Sequence, residues 1–386
     1  MLQSHDFAPG AAPRAIVAIP VRDEAERLSP CLGALAAQRA ARDMAVVLLF
    51  NNSTDASEHI AAAMRPGLPF ALRTLRIDLP PHEAHVGTAR SLAMKEAARL
   101  FAAAGRHDGI ILTTDADSRV ASDWLSANLA AFSAGADAVA GFVDTDVIER
   151  HRLPGHMIDR LAAEHAYDAV LAELEARLDP LDHDPLPRHR MASGASLALT
   201  LQAYCRIGGM PRVAVAEDRA LVAALRGIDA HVRHDPNVRV TTSCRVLGRA
   251  RGGAADAIRL RSLNPASPCD PTLEAAFRAG RRAWWRGRLR GLYAGDGLHP
   301  TGQWVGCLGL SHATAIRASA ARSFGRAWEM IEMASPLLRR RPLNPRMIAR
   351  EIRRGEFMLS MLRAGAAVSQ IAAMFPGDRL VPAAAS

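Results

Sequence analysis

Two aspartates close an apolar run in "IILTTDADS" (110–118). Asp115 and Asp117 are spaced by a single alanine. If the strand continues through them, alternation puts both carboxylates on one face, beyond the last buried residue. Carboxylates that close repel unless a positive charge lies between them. A hard divalent cation, Mg²⁺ or Mn²⁺, satisfies such a pair and leaves coordination positions for substrate phosphates and water. His234, in "VRHDP", is a candidate third ligand, as imidazole also binds Mn²⁺. The same residues suit a plain turn, with Ser118 or Ser122 opening the next helix.

A second acidic pair, Glu217 and Asp218, lies in "VAEDRALVAALRG". One carboxylate there could act as a general base, or both could simply complement the positive end of a helix. Arg245, Arg249 and Arg251 in "TSCRVLGRARGG" form a third cluster. Guanidinium groups bind phosphate oxygens in pairs, and the interleaved glycines let backbone approach a ligand. "HEAH" at 82–85 is one residue short of a zinc-binding H-E-x-x-H, and no P-loop or G-x-G-x-x-G pattern is present.

These residues need a scaffold. "RAIVAIPV", "MAVVLLF", "FALRTLRID" and "GIILTTDADS" read as strands. They alternate with the helical segments "RDEAERLSPCLGALAAQ", "EHIAAAMR" and "GTARSLAMKEAARLFAAA". That alternation predicts an α/β fold: an open, mostly parallel, Rossmann-like sheet flanked by helices. Ligands of such sheets bind beyond the carboxyl ends of the strands, where the polar clusters fall. Further strands are expected in "ADAVAGFVDTDV", "SGASLALT" and "VRHDPNVRVTTSC", and helices in "SDWLSANLAAFSAG" and "MIDRLAAEHAYDAVLAELEARL". From about residue 254 the chain is arginine-rich and mainly helical.

The quoted motifs, in their order, resemble those of family 2 glycosyltransferases of the GT-A fold. "AIPVRDEAERL" is similar to the family's opening strand and P-x-[RN]-x-E turn, and "NNSTDAS" to its D-[DN]-G-S-T-D-x-S turn. "VGTARSLAMKEA" resembles G-x-x-x-A-R-N, and "TTDADS" the D-x-D strand end. "GASLAL…GGMPRVAVAEDRAL" resembles the acceptor segment, and "TSCRVLGRARGG" the basic loop after it. The resemblance implies a GT-A domain over 14–253, with a nucleotide-binding half (14–118) and an acceptor-binding half (119–253), then a mainly helical region over 254–386. It also implies a metal-dependent, inverting transferase that moves a sugar from a nucleotide-sugar donor to an acceptor hydroxyl. By the resemblance, Pro20, Val21, Arg22 and Glu24 line the nucleotide pocket, and Arg90 approaches the diphosphate. Asp115 sits by the donor sugar or ribose, and Asp117 holds the metal. Asp218 is the base beside Glu217, and Arg245, Arg249 and Arg251 close over the phosphates. Two positions depart from the pattern. Phe50 or Asn51 stands where the family reads the base through aspartate, and Ser91 where it has asparagine. The Q-x-x-R-W motif of processive members is absent.

A sugar-phosphate nucleotidyltransferase is the competing enzyme class, but "PVRDEAERL" lacks the glycine- and lysine-bearing phosphate loop it needs. A non-catalytic nucleotide-binding protein on the same scaffold is the other alternative. The net charge of +9 over 386 residues favours anionic partners. Scarce aromatics and the lack of a known nucleic-acid-binding motif argue against nucleic acid. Five scattered cysteines without C-x-x-C spacing suit reduced thiols in the cytoplasm. No segment has the apolar length to span a bilayer, so membrane contact, if made, is expected to be peripheral, at the inner face. The acidic and histidine-rich stretch 179–190 suits either a lid or an ordinary loop.

Overall fold

The computed structural model describes residues 13–246, 248 and 252–365. Among the described residues there are eight strands: β1 (Ala15–Val21), β2 (Met44–Asn51), β3 (Ala71–Ile77), β4 (Ile110–Thr113), β5 (Arg119–Val120), β6 (Ala138–Thr145), β7 (Leu197–Thr200) and β8 (Val232–Thr242). The first helices are α1 (Ala25–Ala36), α2 (Ser57–Met64), α3 (Val86–Ala103), α4 (Trp124–Ser133) and α5 (Val147–Arg150). Then come α6 (Gly155–Leu178), α7 (Leu201–Arg206), α8 (Glu217–Gly227) and α9 (Ala254–Leu263). The remainder are α10 (Ala276–Ala294), α11 (Gln303–Cys307), α12 (His312–Ser319), α13 (Phe324–Ala334) and α14 (Ile348–Arg363).

The chain forms two compact units. Of the described residues, the first holds those within 13–153, 191–226 and 230–260, and the second those within 154–190, 227–229 and 261–365. All the strands lie in the first unit, in one sheet of order β3-β2-β1-β4-β7-β6-β8-β5. β1, β2, β3 and β4 pair in parallel; β1, β2 and β4 are buried, apolar runs, as a sheet covered on both faces requires, while β3 is the half-exposed edge. Beyond β4 the sheet becomes mixed. β7 is antiparallel to both β4 and β6, β8 is parallel to β6, and β5 is antiparallel to β8. On one face Val17, Ile19, Val46, Leu48 and Phe50 pack with Leu28, Leu32 and Leu35 of α1 and with Trp124 of α4. α3 covers β1, β2 and β4. Its small buried residues Ala89, Ala93 and Ala97 are interleaved with Met94 and Leu100.

The second unit is helical. Tyr167, Leu171 and Leu174 of α6 meet Trp284, Trp285 and Leu289 of α10, Trp328 and Ile331 of α13, and Met358 and Leu359 of α14. Gly287 lets α10 close onto the end of α6, since a Cβ there would stand 2.5 Å from the Leu178 carbonyl oxygen. Charged groups are buried in this unit too. Asp179 takes two bonds from Arg290, at 2.9 and 3.0 Å, and one from Arg286. Glu175 lies 2.9 Å from Arg190. The stretch 179–190 is therefore a pinned strap and not an open lid: Asp184 is buried and pairs with Arg188 at 2.9 Å.

Candidate active site

The carboxyl ends of β1, β2 and β4 present three consecutive loops. The β1–α1 and β2–α2 loops are zipped together by short side chains. Thr54 N donates to Asp23 Oδ1 (2.8 Å), Glu24 N to Ser57 Oγ (2.9 Å) and Ala25 N to Asp55 Oδ2 (2.8 Å). Asp23 and Asn52 both adopt left-handed backbone, φ 52° and 51°, which costs energy in non-glycine residues and persists where the surroundings enforce it. Pro20 and Val21 end β1, with the Val21 carbonyl accepting from Ser53 Oγ (3.3 Å). Arg22 is spent on the Ala84 carbonyl at 2.9 Å, which ties this edge to the loop before α3. Asn51 closes β2 and is 2% exposed; its Oδ1 is buried without a hydrogen-bond partner.

The strand expectation for the two aspartates is corrected. β4 ends at Thr113, and Asp115–Ser118 form a turn closed by Ser118 N to Asp115 O at 3.1 Å. The carboxylates are sorted by their partners instead. Asp115 Oδ1 accepts from Arg90 Nη2 at 2.6 Å. Asp117 Oδ2 lies 3.0 Å from Arg245 Nη2, and its Oδ1 has the hydroxyls of Thr242 (3.4 Å) and Ser118 (3.5 Å) nearby. Burial, helped by the neighbouring charges of Asp115 and Glu24, pushes the Asp117 carboxyl up to about 6, and Arg245 only partly offsets this. Burial and the neighbouring carboxylates both disfavour ionised Asp117, and a divalent cation would relieve both, so this donor set fits one. Asp115 and Asp117 are the residues that would hold it.

Arg90 departs from expectation. It is 2% exposed, and its guanidinium is committed within the protein. Nη1 donates to Thr113 Oγ1 (2.8 Å) and the Gly194 carbonyl (2.9 Å), Nη2 to Asp115, and Nε to Glu217 Oε1 (3.3 Å). One fork therefore ties β4 and the aspartate turn to the segment before β7 and to the start of α8. Position 194 has no room for a side chain, because a Cβ would stand 2.4 Å from Arg90 Nη2. The Gly194 N–H in turn donates to Asp218 Oδ2 at 3.1 Å, and Asp218 Oδ1 accepts from Arg219 N at 2.7 Å.

The acidic pair is divided by this arrangement. Glu217 is buried; burial raises its carboxyl against the pull of Arg90, with Asp218 adding to the rise. Asp218 is half-buried and fixed by backbone N–H groups, so it can face a ligand. Ala216, just before them, has φ 58°, a third strained residue at this rim.

Arg245 reaches the site and grips Glu24 with both arms, at 2.9 and 2.5 Å. Arg249 and Arg251 lie outside the described residues. His234 is not brought to the aspartates. Its Nε2 accepts from Arg226 at 3.1 Å, nine residues along α8 from Glu217. That is about 14 Å of helix away from the acidic pair. Among the described residues no group of three or more His, Cys, Asp or Glu side chains is arranged to hold a metal ion.

Sequence reasoning missed Thr113, Gly194, Thr242 and Glu149. Glu149, in the four-residue α5, pairs with Arg27 at 2.5 Å and accepts from Ser243 Oγ (2.8 Å) and Cys244 N (2.7 Å), which fixes the backbone leading to Arg245. Only the glycine in "SGAS" carried a signal.

A parallel βα half joined to a mixed half sets these acids at the carboxyl ends of the strands, where α/β sheets bind their ligands. Residues 16–169 match the family model described as Glycosyl transferase family 2. A search of the curated proteins found no match. Among solved structures, the chain is similar to S. aureus TarS 1-349 in complex with UDP, at 14% identity over 91% of this chain and 92% of that one, TM-score 0.44. It is similar to the mannosyltransferase PcManGT from Pyrobaculum calidifontis in complex with GDP-Man and Mn²⁺, at 16% identity over 96% and 88%, TM-score 0.41. It is also similar to M. tuberculosis glucosyl-3-phosphoglycerate synthase, at 15% identity over 66% and 79%, TM-score 0.36. No helix among the described residues is long and apolar enough to cross a membrane.

Proposed function

We propose that the chain is a divalent-metal-dependent, inverting glycosyltransferase that uses a nucleotide-sugar donor. One observation supports this reading above the others. Arg90 holds Asp115, at the end of the donor-side strands, and Glu217, next to Asp218, within reach of one guanidinium. Donor and acceptor groups are thereby held in fixed relation, as a displacement between two substrates requires.

The nucleotide would lie across the carboxyl ends of β1 and β2, against Pro20, Val21, Glu24 and the buried Asn51. A cation held by Asp115 and Asp117, when bound, would supply Lewis-acid neutralisation of the leaving diphosphate. Asp218 would take the proton of the acceptor hydroxyl as its oxygen bonds to the anomeric carbon and the bond from that carbon to the diphosphate oxygen breaks. A single displacement inverts the anomeric centre. The Gly194 and Arg219 N–H groups keep Asp218 oriented for this, and Glu217, tied to Arg90, positions it without taking the proton.

Asp218→Asn tests this reading. Sugar transfer should fall by about 10²- to 10⁴-fold. Calorimetric binding of nucleoside diphosphates, screened as UDP, GDP and ADP with and without Mn²⁺, should persist. Retained transfer would remove Asp218 from the mechanism, and failure of every nucleotide to bind would leave only the family-model match over 16–169 standing.

A further inference from the structure

Arg245 is the described arginine of the loop after β8, and its fork faces acids rather than open solvent. Nη1 and Nη2 donate to the two oxygens of Glu24 at 2.9 and 2.5 Å, and Nη2 also stands 3.0 Å from Asp117 Oδ2. Behind it the backbone is fixed. Arg245 N donates to Ser243 Oγ (3.2 Å), while Ser243 Oγ and Cys244 N both donate to Glu149. The side chain is therefore the part free to exchange partners. A guanidinium and a divalent cation cannot both press on the same carboxylate oxygen without strong repulsion. A diphosphate, by contrast, offers a guanidinium paired oxygens at least as good as those of Glu24.

We infer that Arg245 is an exchangeable counter-ion. In the nucleotide-free protein it neutralises Glu24 and Asp117 and competes with the metal for Asp117. When the donor's diphosphate arrives, Arg245 moves to the phosphate oxygens and Asp117 is released to the cation. Donor and metal then bind with positive coupling, and the metal site is completed only when there is a diphosphate to neutralise. This inference rests on the reading of Asp117 as a metal ligand and adds to it the order of assembly.

Electron paramagnetic resonance of Mn²⁺, titrated against nucleotide-free protein, tests it without any turnover. Arg245→Gln should tighten Mn²⁺ binding by about tenfold, within the usual range of coupling between sites. Arg245→Lys, which keeps a charge but loses the fork, should tighten it less. Arg27→Gln is the control, since Arg27 also lowers the Asp117 carboxyl through space while bonding Glu149 instead; its effect should stay below about twofold. Adding UDP or GDP at saturation should strengthen Mn²⁺ binding more in the wild type than in Arg245→Gln. Equal tightening by Arg27→Gln and Arg245→Gln would overturn the exchange in favour of bulk charge. So would unchanged Mn²⁺ affinity in an Arg245→Gln protein that keeps its circular dichroism. Should Arg245→Gln not fold, Arg245→Lys decides in the same direction. Mn²⁺ that binds no form of the protein, with or without nucleotide, would defeat the underlying metal reading itself. Mn²⁺ binding alike in wild type and variant, with nucleotide still bound, would defeat the exchange alone.

Discussion

Each unit contains a buried cluster of arginines and carboxylates, and the two are built to opposite rules. In the helical unit Glu175 has Arg190 at 2.9 Å, Arg188 at 3.4 Å and Arg286 at 3.7 Å. Burial alone would raise its carboxyl, but Arg190, Arg286 and Arg188 together hold it well below the usual carboxylate range. The arginines there more than offset burial for Glu175 and Asp179, whose carboxyls both lie below their ordinary values. At the ends of β1 and β4, by contrast, Glu24, Asp115 and Asp117 share Arg245 and Arg90, and Asp117 is pushed up to about 6. A satisfied cluster holds a fold together. A buried carboxylate that its cations offset only in part is destabilising on its own and gains what it lacks from a ligand.

Removing a cation should therefore hurt most where the cluster is structural. Arg286→Ala would leave Asp179 and Glu175 buried and under-paired, and should cost about 3–5 kcal/mol in chemical denaturation. A cost under about 1 kcal/mol would place that network among surface ion pairs and remove the contrast.

At the site, a change of shape rather than charge is the sharper probe. Arg90→Lys keeps the positive charge but cannot reach Thr113, Asp115, Gly194 and Glu217 at once. We expect kcat to drop by about 10- to 100-fold, as misplacement of reacting groups does, while nucleoside diphosphate affinity changes by less than about threefold. If affinity and kcat fall together, Arg90 contacts the donor after all.

The two clusters also respond oppositely to pH. Asp117 carries a folded-state carboxyl raised from 3.8 to about 6, so the folded protein holds that proton longer than the unfolded chain. Its ionisation then costs stability as pH rises from about 4 to about 6, on the order of 3 kcal/mol. Glu175 is shifted down from 4.5, so its contribution is complete above about pH 4.5 and is lost as acid protonates it. Denaturation of Asp117→Asn and Glu175→Gln against wild type across pH 3–7 should show differences of opposite slope. Transfer, if it needs ionised Asp117, should show an acid limb near pH 6 in kcat/KM. A profile flat down to pH 5 would contradict that need.

Much of this scaffold was legible because the relevant signals are local. β1, β2 and β4 are short runs of buried residues, and the loops that follow them carry the acids and serines that turn a strand into a helix. What was hidden depends on partners far away in the chain. The two-residue β5 exists only through its pairing with Thr241 and Val240. The aspartate spacing suggested a strand, yet β4 stops at Thr113 because the chain turns to bring Ser118 onto Thr242, at 2.9 Å. Arg90 reads as a phosphate ligand from its helix-start motif; its burial is set by Glu217, 127 residues on. The arginine-rich region after residue 254 reads only as mainly helical, yet Arg281, Arg282, Trp284 and Trp285 are buried, and Arg282 pairs with Glu274 at 2.8 Å. Periodicity marks which face of a helix is apolar, and cannot mark an arginine whose counter-ion lies on another segment.

Asp117→Asn, assayed for stability and for Mn²⁺-dependent nucleoside diphosphate binding on the same sample, tests most directly the claim that the strand-end acids are held in deficit for a ligand. A protein as stable as wild type at pH 7, or more stable by about 1 kcal/mol, with nucleotide binding weakened by about 100-fold or more, is the expected result. A variant destabilised by about 2 kcal/mol or more that still binds nucleotide as the wild type does would show the acids to be structural, and would contradict the account.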